Sequence, residues 1–294
     1  MAWRGVHLSQ PARLSLADGQ MVVEQADGAV RLALEDLAWL VLDTPQASLT
    51  AALLSACMEA GLAVVTTDAS HLPNGLLLPF HGHHRQAGLA ERQVALSAPL
   101  KKRLWQAIVR AKIANQAWAL RRTGGAGDKV VAEMARHVGS GDPDNVEARA
   151  ARQYWSGLFA DFRRDDDTDR RNKLLNYGYA VVRALIARAL VAGGLLPAFG
   201  LHHASVGNAF NLADDLIEPF RPFVDVLAHA QGGERLGDLT LADRRAMVAV
   251  LLAEVRLGSD TLTLTAASEL VVASLVRAMV SADPAEMILP ALPP

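Results

Sequence analysis

Along the 294 residues of this chain the hydrophobic pattern changes period once, near Gly88, and that change limits the folds open to it. Before it, apolar residues come in short β-prone runs, VHL, ARLSL, QMVVEQ, AVRLAL and AWLVLD, with Ala-Asp-Gly turns at Ala17–Gly19 and Ala26–Gly28. One helix interrupts them: Ser48 or Thr50 caps SLTAALLSACMEAG, Gly61 closes it, and the strand LAVVTTD follows. Proline, glycine and histidine then cluster in HLPNGLLLPFHGHHRQ. Beyond that seam the period is 3.6, as in Leu104, Ile108, Ala111 and Trp118. The expected fold is α+β. A β-rich, sandwich-like domain spans 1–80, a larger all-α domain spans 81–294, and the linker lies at about 70–88.

The helical half divides at its glycines and caps. A long helix runs from Pro99 to Gly124. Asp128 opens a short one, Asp144 or Asn145 caps VEARAARQYWSGLFADF, and a long helix spans about 172–192. The run RRDDDTDRR reads as a mobile loop. Thr240 and Asp243 form a partial capping box, and a last helix covers about 266–280.

A hydrophobic content of 51% allows a large core. The net charge of -2 hides an asymmetry. Residues 1–80 hold three basic side chains, Arg4, Arg13 and Arg31, against eight acidic ones. Residues 81–122 hold nine, Arg85, Arg92, Lys101, Lys102, Arg103, Arg110, Lys112, Arg121 and Arg122, against Glu91 alone. Such a stretch suits a polyanion, and equally a solvated helix face. The single cysteine, Cys57, excludes an intrachain disulfide and reads as core packing. The amino terminus shows no secretory pattern, and no stretch of about 18 apolar residues is free of charge, so no membrane span is expected and the compartment is expected to be cytoplasmic.

The unusual chemistry lies in GLHHASVGNAFNLADDLIEPFRPFVD, residues 200–225. Asn211 and Asp215 share a helix face, whereas Asp214 aligns with Glu218. Phe210, Ala213, Leu216, Ile217 and Phe220 cover most of that helix, so an uncompensated carboxylate there costs several kcal/mol and needs a partner. Further upstream, Glu147 stands on the face of Ala150, Ala151, Tyr154 and Leu158, where it either stabilises the helix dipole or serves a site. His203 is a hydrogen-bonded histidine or a ligand. Two carboxylates about 4 Å apart repel by about 4 kcal/mol at an effective dielectric of 20, and a divalent cation reverses the sign. Two acids and one imidazole suit Mg²⁺ or Mn²⁺, the imidazole favouring Mn²⁺. Spacing alone does not bring Glu147 and His203 together.

The segments VEARAARQYW, NKLLNYGYA, GLLPAFGLHH and NLADDLIEPFRPFVD resemble the CRISPR-associated spacer integrases, the adaptation endonucleases of bacterial CRISPR systems, in the type II variant found beside an RNA-guided effector nuclease. The likeness includes the β-rich front and an element at His81–Gln93. It implies a metal triad of Glu147, His203 and Asp215, with His202 as the second choice of imidazole, holding Mg²⁺ or Mn²⁺. Asn211 stands where some relatives carry a further acid. The implied reaction is transesterification: the 3′-hydroxyl of a captured double-stranded DNA fragment attacks a phosphodiester at the edge of a CRISPR repeat. Water in place of the hydroxyl gives endonuclease activity. The nine basic residues would hold DNA backbone, and Tyr177 and Tyr179 would either stack on a base or fill the core. Implied partners are a second copy of the chain through the β-rich module, a small second adaptation protein and the effector nuclease. The competing expectations are a non-catalytic DNA-binding scaffold of the same fold and a helical small-molecule hydrolase.

Overall fold

A computed structural model describes residues 4–80, 82–232 and 235–293. His81, within the seam, lies outside the described residues. The first half holds strands β1 (Arg4–Leu8), β2 (Ala12–Ala17), β3 (Gln20–Gln25), β4 (Gly28–Ala33), β5 (Leu37–Leu42) and β6 (Ala47–Leu49), helix α1 (Ala51–Glu59), and strands β7 (Ala63–Thr67) and β8 (Pro73–Leu77). They form two four-stranded sheets, β4-β3-β2-β6 and β1-β5-β7-β8. The β2–β3 connection is a two-residue turn, with Ala17 opposite Gln20 and both Asp18 and Gly19 at positive φ (51° and 71°). That is the geometry whose twist matches a hairpin. Thr50, not Ser48, caps α1 by accepting from the Leu53 N–H.

Leu8, Leu14, Met21, Leu40, Leu53 and Cys57 from both sheets and α1 make one core. β5 is buried on both faces: Leu37, Leu40 and Leu42 join that core, while Ala38, Trp39 and Val41 join the core of the helical half. Its unbroken apolar run is the signature of a strand covered on both sides. The molecule is therefore three layers deep, sheet on sheet on helices.

The helical half comprises α2 (Gln86–Val94), α3 (Ala98–Thr123), α4 (Asp128–Met134), α5 (Val146–Leu158), α6 (Arg170–Ala192), α7 (Asn211–Ile217), α8 (Arg221–Ala230), α9 (Leu241–Val248) and α10 (Leu264–Ser281). It is not purely helical. β9 (Glu254–Leu257) and β10 (Asp260–Thr263) form a hairpin turned by Gly258 at φ 63°. β8 lies inside the expected linker, paired antiparallel to β7. The run RRDDDTDRR is not loose: Asp169 caps α6, Arg171 holds Asp169 and the Ala160 and Asp161 carbonyls, and Asn172 donates to the Arg163 and Asp166 carbonyls. Asp128 does not cap α4, whose N-cap is Gly127. Thr240 and Asp243 do complete a capping box on α9.

α3 and α6 are the axes around which the other helices pack. Gly178 on α6 lets α8 and α9 approach, because a Cβ there would lie 2.5 Å from Val224 and 2.7 Å from Met247. By length and hydropathy α6 and α10 could each cross a membrane, but 78% of the α6 span and 56% of the α10 span are buried within the protein. Tyr177 and Tyr179 are both buried, so they fill the core and present no ring to a base.

Candidate active site

The histidine loop, residues 193–210, is clamped from two sides. Gln93 of α2 donates to the Leu196 and Phe199 carbonyls and accepts from the Leu196 N–H. Asn211 donates to the Ala198, Ser205 and Asn208 carbonyls and accepts from the Ser205 N–H. Every polar atom of Asn211 thus serves the loop, which leaves it no role as a ligand. Asp214 is occupied as well, by Arg183 at 2.6 Å and Asn208 at 2.6 Å.

Asp215 is fully buried and accepts four hydrogen bonds. Oδ2 takes the Leu201 N–H at 2.6 Å and the His202 N–H at 3.1 Å; Oδ1 takes the His203 N–H at 3.1 Å and the His203 ring at 2.7 Å. Gly200 makes this approach possible, since a Cβ there would meet the His203 carbonyl at 2.3 Å and Asp215 Oδ2 at 2.7 Å. A carboxylate only accepts, so His203 Nδ1 carries the proton, and the lone pair of the neutral ring sits on Nε2. This is the arrangement that orients ligating imidazoles. The bond to Asp215 raises the His203 pKa; burial opposes it, and the Asp215, Glu218 and Asp214 charges add to it. Trp105 of α3 fixes the loop from below: the His202 ring stacks on it with centroids 4.2 Å apart and 2° from parallel, and the His203 ring meets its edge at 5.8 Å.

Asp142 places Glu147 by accepting the Val146 and Glu147 N–H groups at 2.9 and 3.0 Å, the capping role expected of Asp144 or Asn145. Glu147 does not meet Asp215. It meets Lys112 of α3 at 2.5 Å, and the same ammonium lies 2.5 Å from Glu218. Glu218 begins a short 3-10 turn after α7, is 5% exposed, and also accepts from Arg221 Nε at 2.7 Å. Asn115 fixes that turn by donating to the Pro219 carbonyl. Burial works against ionised Glu218, but Arg221 and Lys112 outweigh it and hold its pKa near 2. Burial likewise opposes the Lys112 ammonium, and the Glu218 and Glu147 carboxylates overcome it and raise its pKa.

The structure does not bring the three expected ligands to one point: Glu147 meets Glu218 across Lys112, while the oxygens of Asp215 are taken by the histidine loop. Lys112, one of the nine expected DNA contacts, is 9% exposed and engaged with two acids in the resting protein. Both had a signal in the sequence. The helical neighbours of Lys112, at three and four positions, are Ile108, Val109, Asn115 and Gln116, all buried. Glu218 lies between Ile217 and Pro219-Phe220, where a charge requires a partner. Of the other basic residues, Arg85, Arg92, Lys102, Arg103, Arg110, Arg121 and Arg122 are exposed and Lys101 is half-buried. On α3, Arg103, Arg110 and Arg121 are seven and eleven positions apart, close to whole turns, and share one stripe.

Among the described residues no three His, Cys, Asp or Glu side chains close on one point as a finished metal cage. The donor set nevertheless fits a hard divalent cation. The Glu147 and Glu218 oxygens are separated by no more than the width of one ammonium, and the His203 ring is held by a carboxylate behind it, which leaves Nε2 as the nitrogen a metal would take. A second buried acid lies deeper. Asp225 accepts from Tyr154 at 2.8 Å and from Tyr179, and burial pushes its pKa up to about 6. A cavity of about 250 Å³ runs from Lys112 and Glu218 past Gln116 and Trp155 to Arg164, Tyr179, Arg221 and Asp225.

The family model described as "CRISPR associated protein Cas1" matches residues 6–235. A CRISPR-associated endonuclease Cas1 from Neisseria meningitidis serogroup C (strain 8013) is 37% identical over 297 residues, covering 100% of this chain and 98% of that one. Among solved structures, a Cas1 protein from Thermotoga maritima superposes with a TM-score of 0.71 at 16% identity, over 94% of this chain and 97% of that one. A casposase bound to integration product superposes with a TM-score of 0.75 at 17% identity, over 95% and 91%. These last two establish likeness of fold. With the matched span and the full-length sequence relative, they lead to one conclusion: the chain belongs to the CRISPR-associated Cas1 family.

Proposed function

We propose that this protein is a divalent-metal-dependent DNA integrase and endonuclease of CRISPR adaptation, with Glu147, His203 and Glu218 facing Mg²⁺ or Mn²⁺ and Asp215 orienting His203 from behind. The observation that carries this reading is the meeting of Glu147 and Glu218 on one cationic position, with His203, its ring held by a buried carboxylate, near enough to feel the Glu218 charge. Glu147, Glu218 and His203 would hold the divalent cation, which would supply positive charge beside the reacting phosphate and lower the pKa of the attacking hydroxyl.

The chain's own residues do the rest. Asp215 keeps the His203 proton on Nδ1. The N–H groups it binds hold the loop in one place, so the imidazole needs no reorganisation during reaction. Arg221 adds a second positive group beside Glu218. In the exchange, the 3′-oxygen of the incoming strand forms a bond to phosphorus while the bond to a 3′-oxygen of the repeat breaks. One proton passes from the incoming hydroxyl to the leaving one, and no phosphodiester is lost overall. The exposed stripe Arg103, Arg110 and Arg121 carries backbone phosphates, which give affinity without sequence preference. The acidic strand-rich half suits protein partners: a second copy of the chain and a small second adaptation protein.

The test is integration of a short duplex with free 3′-hydroxyls into a supercoiled plasmid carrying a repeat. We expect strand transfer with Mn²⁺ or Mg²⁺ and none with chelator. Equal product in chelator, or none with either metal while the DNA is bound, overturns the reading.

A further inference from the structure

Four charged groups meet at this site in pairs. Glu147 and Glu218 carry two negative charges; Lys112, 2.5 Å from both, and Arg221, 2.7 Å from Glu218, carry two positive ones. The Lys112 and Glu218 side chains are 11% and 6% exposed, so water screens little of this. The Lys112 ammonium stands where one cation can touch both acids. It keeps two buried carboxylates from repelling each other while no metal is present. The same occupancy makes it a competitor: a divalent cation cannot approach both acids until the ammonium leaves. With metal bound and Arg221 in place, the group then carries excess positive charge in a poorly screened space, and the displaced ammonium has lost both partners. An anion arriving next to the acids corrects both imbalances, and the anion this site is built to meet is a phosphodiester.

We infer that Lys112 is a built-in counter-ion that makes metal uptake depend on DNA: it fills the position between Glu147 and Glu218 in the resting protein, and swings to the phosphodiester when DNA and metal enter together. The inference rests on the proposed role of Glu147 and Glu218 as metal-facing acids. It adds a consequence that role does not require, namely that metal and DNA affinities are linked. Such linkage is reciprocal, so metal must tighten DNA as much as DNA tightens metal. In a cell this confines the loaded site to protein already on DNA.

The test is a Mn²⁺ titration followed by the EPR signal of the free ion, on the full chain at fixed pH, with and without a duplex carrying 3′-dideoxy ends. Glu218→Gln with DNA corrects for Mn²⁺ held by the duplex. The wild type should bind Mn²⁺ about tenfold or more tightly when DNA is present. Lys112→Met should bind Mn²⁺ about tenfold more tightly than the wild type without DNA, and the gain from DNA should fall below about threefold. Lys112→Arg, which keeps the charge, should behave like the wild type. Equal wild-type affinity with and without DNA overturns the inference, and so does a folded Lys112→Met protein whose DNA-free affinity is unchanged or weaker. If Lys112→Met does not fold, the wild-type pair of titrations decides. Loss of all Mn²⁺ binding in Glu218→Gln alongside unlinked wild-type binding would sink the counter-ion role alone. Wild-type binding untouched by Glu218→Gln would sink the metal-facing reading with it.

Discussion

At the scale of single residues, the site separates acids by what their oxygens already hold. Asp215 has four donors and none to spare; Glu147 and Glu218 meet only the cationic side chains of Lys112 and Arg221. Glu147→Ala, His203→Ala and Glu218→Ala are each expected to abolish strand transfer with DNA binding largely kept. Asp215→Asn, which keeps one acceptor oxygen, is expected to cost about 10–100-fold in metal affinity and to lower the melting temperature as well. Full strand transfer by Glu218→Ala would return the ligand role to Asp215. Asp225 gives a prediction of opposite character. Its folded pKa, about 6, lies above the ordinary 3.8, so the native state binds the extra proton between those values. Stability is then highest below about pH 4 for this group and is lost as pH rises through about 6. Asp225→Asn should gain about 2 kcal/mol relative to the wild type on going from pH 4 to pH 7. Denaturation midpoints that keep a constant difference across that range would show that Asp225 does not titrate there.

At the scale of elements, α3 does two jobs on two faces. Its inner face carries Trp105, under the histidines, then Lys112 between the acids, then Asn115, behind the Glu218 turn. Its outer stripe carries Arg103, Arg110 and Arg121. Whole-turn spacing keeps these sets apart, although Arg110 also donates to the Val138 carbonyl and Arg121 pairs with Asp128 of α4. Charge reversal at all three arginines is expected to weaken duplex binding and to reduce the slope of log affinity against log salt by about 0.9 for each phosphate no longer neutralised. Arg103→Glu alone, at the one position of the three without a partner among the described residues, should leave the melting temperature within a few degrees, whereas the triple reversal also breaks the Arg110 and Arg121 contacts. A slope equal to the wild type's would remove this stripe from the DNA path and leave Arg85, Arg92, Lys101, Lys102 and Arg122 as candidates.

Across the whole molecule, a buried ionic knot joins the two halves. Asp43, at the end of β5, is 1% exposed and accepts from Arg244 of α9 at 2.7 Å, with His7 at 3.0 Å and His71 at 2.7 Å. Burial works against its charge, and the bonds from His7, Arg244 and His71 hold its pKa below the usual carboxylate range. Arg244→Met leaves that acid without its permanent cation and is expected to destabilise the protein by about 3–5 kcal/mol, read as a lower melting temperature. A change under about 1 kcal/mol would show that the histidines suffice to hold the acid.

The chain's own periodicity determined its two-part architecture, because runs of period 2 and period 3.6 bury their apolar faces in different ways. Turn chemistry at Asp18-Gly19 and the capping box at Thr240 were readable for the same local reason, and Thr50 was one of two candidate caps, with Ser48. The β9–β10 hairpin and β8 were not: short strands beside glycine and proline are decided by what they pair with. Glu147 and His203 could be singled out as residues that need partners, but not matched to them. Tertiary structure decided that Lys112 stands between Glu147 and Glu218, and that Asp215 turns to the backbone of the histidine loop. A sequence shows that a buried charge must be compensated; which opposite charge does so depends on how helices far apart in the chain cross.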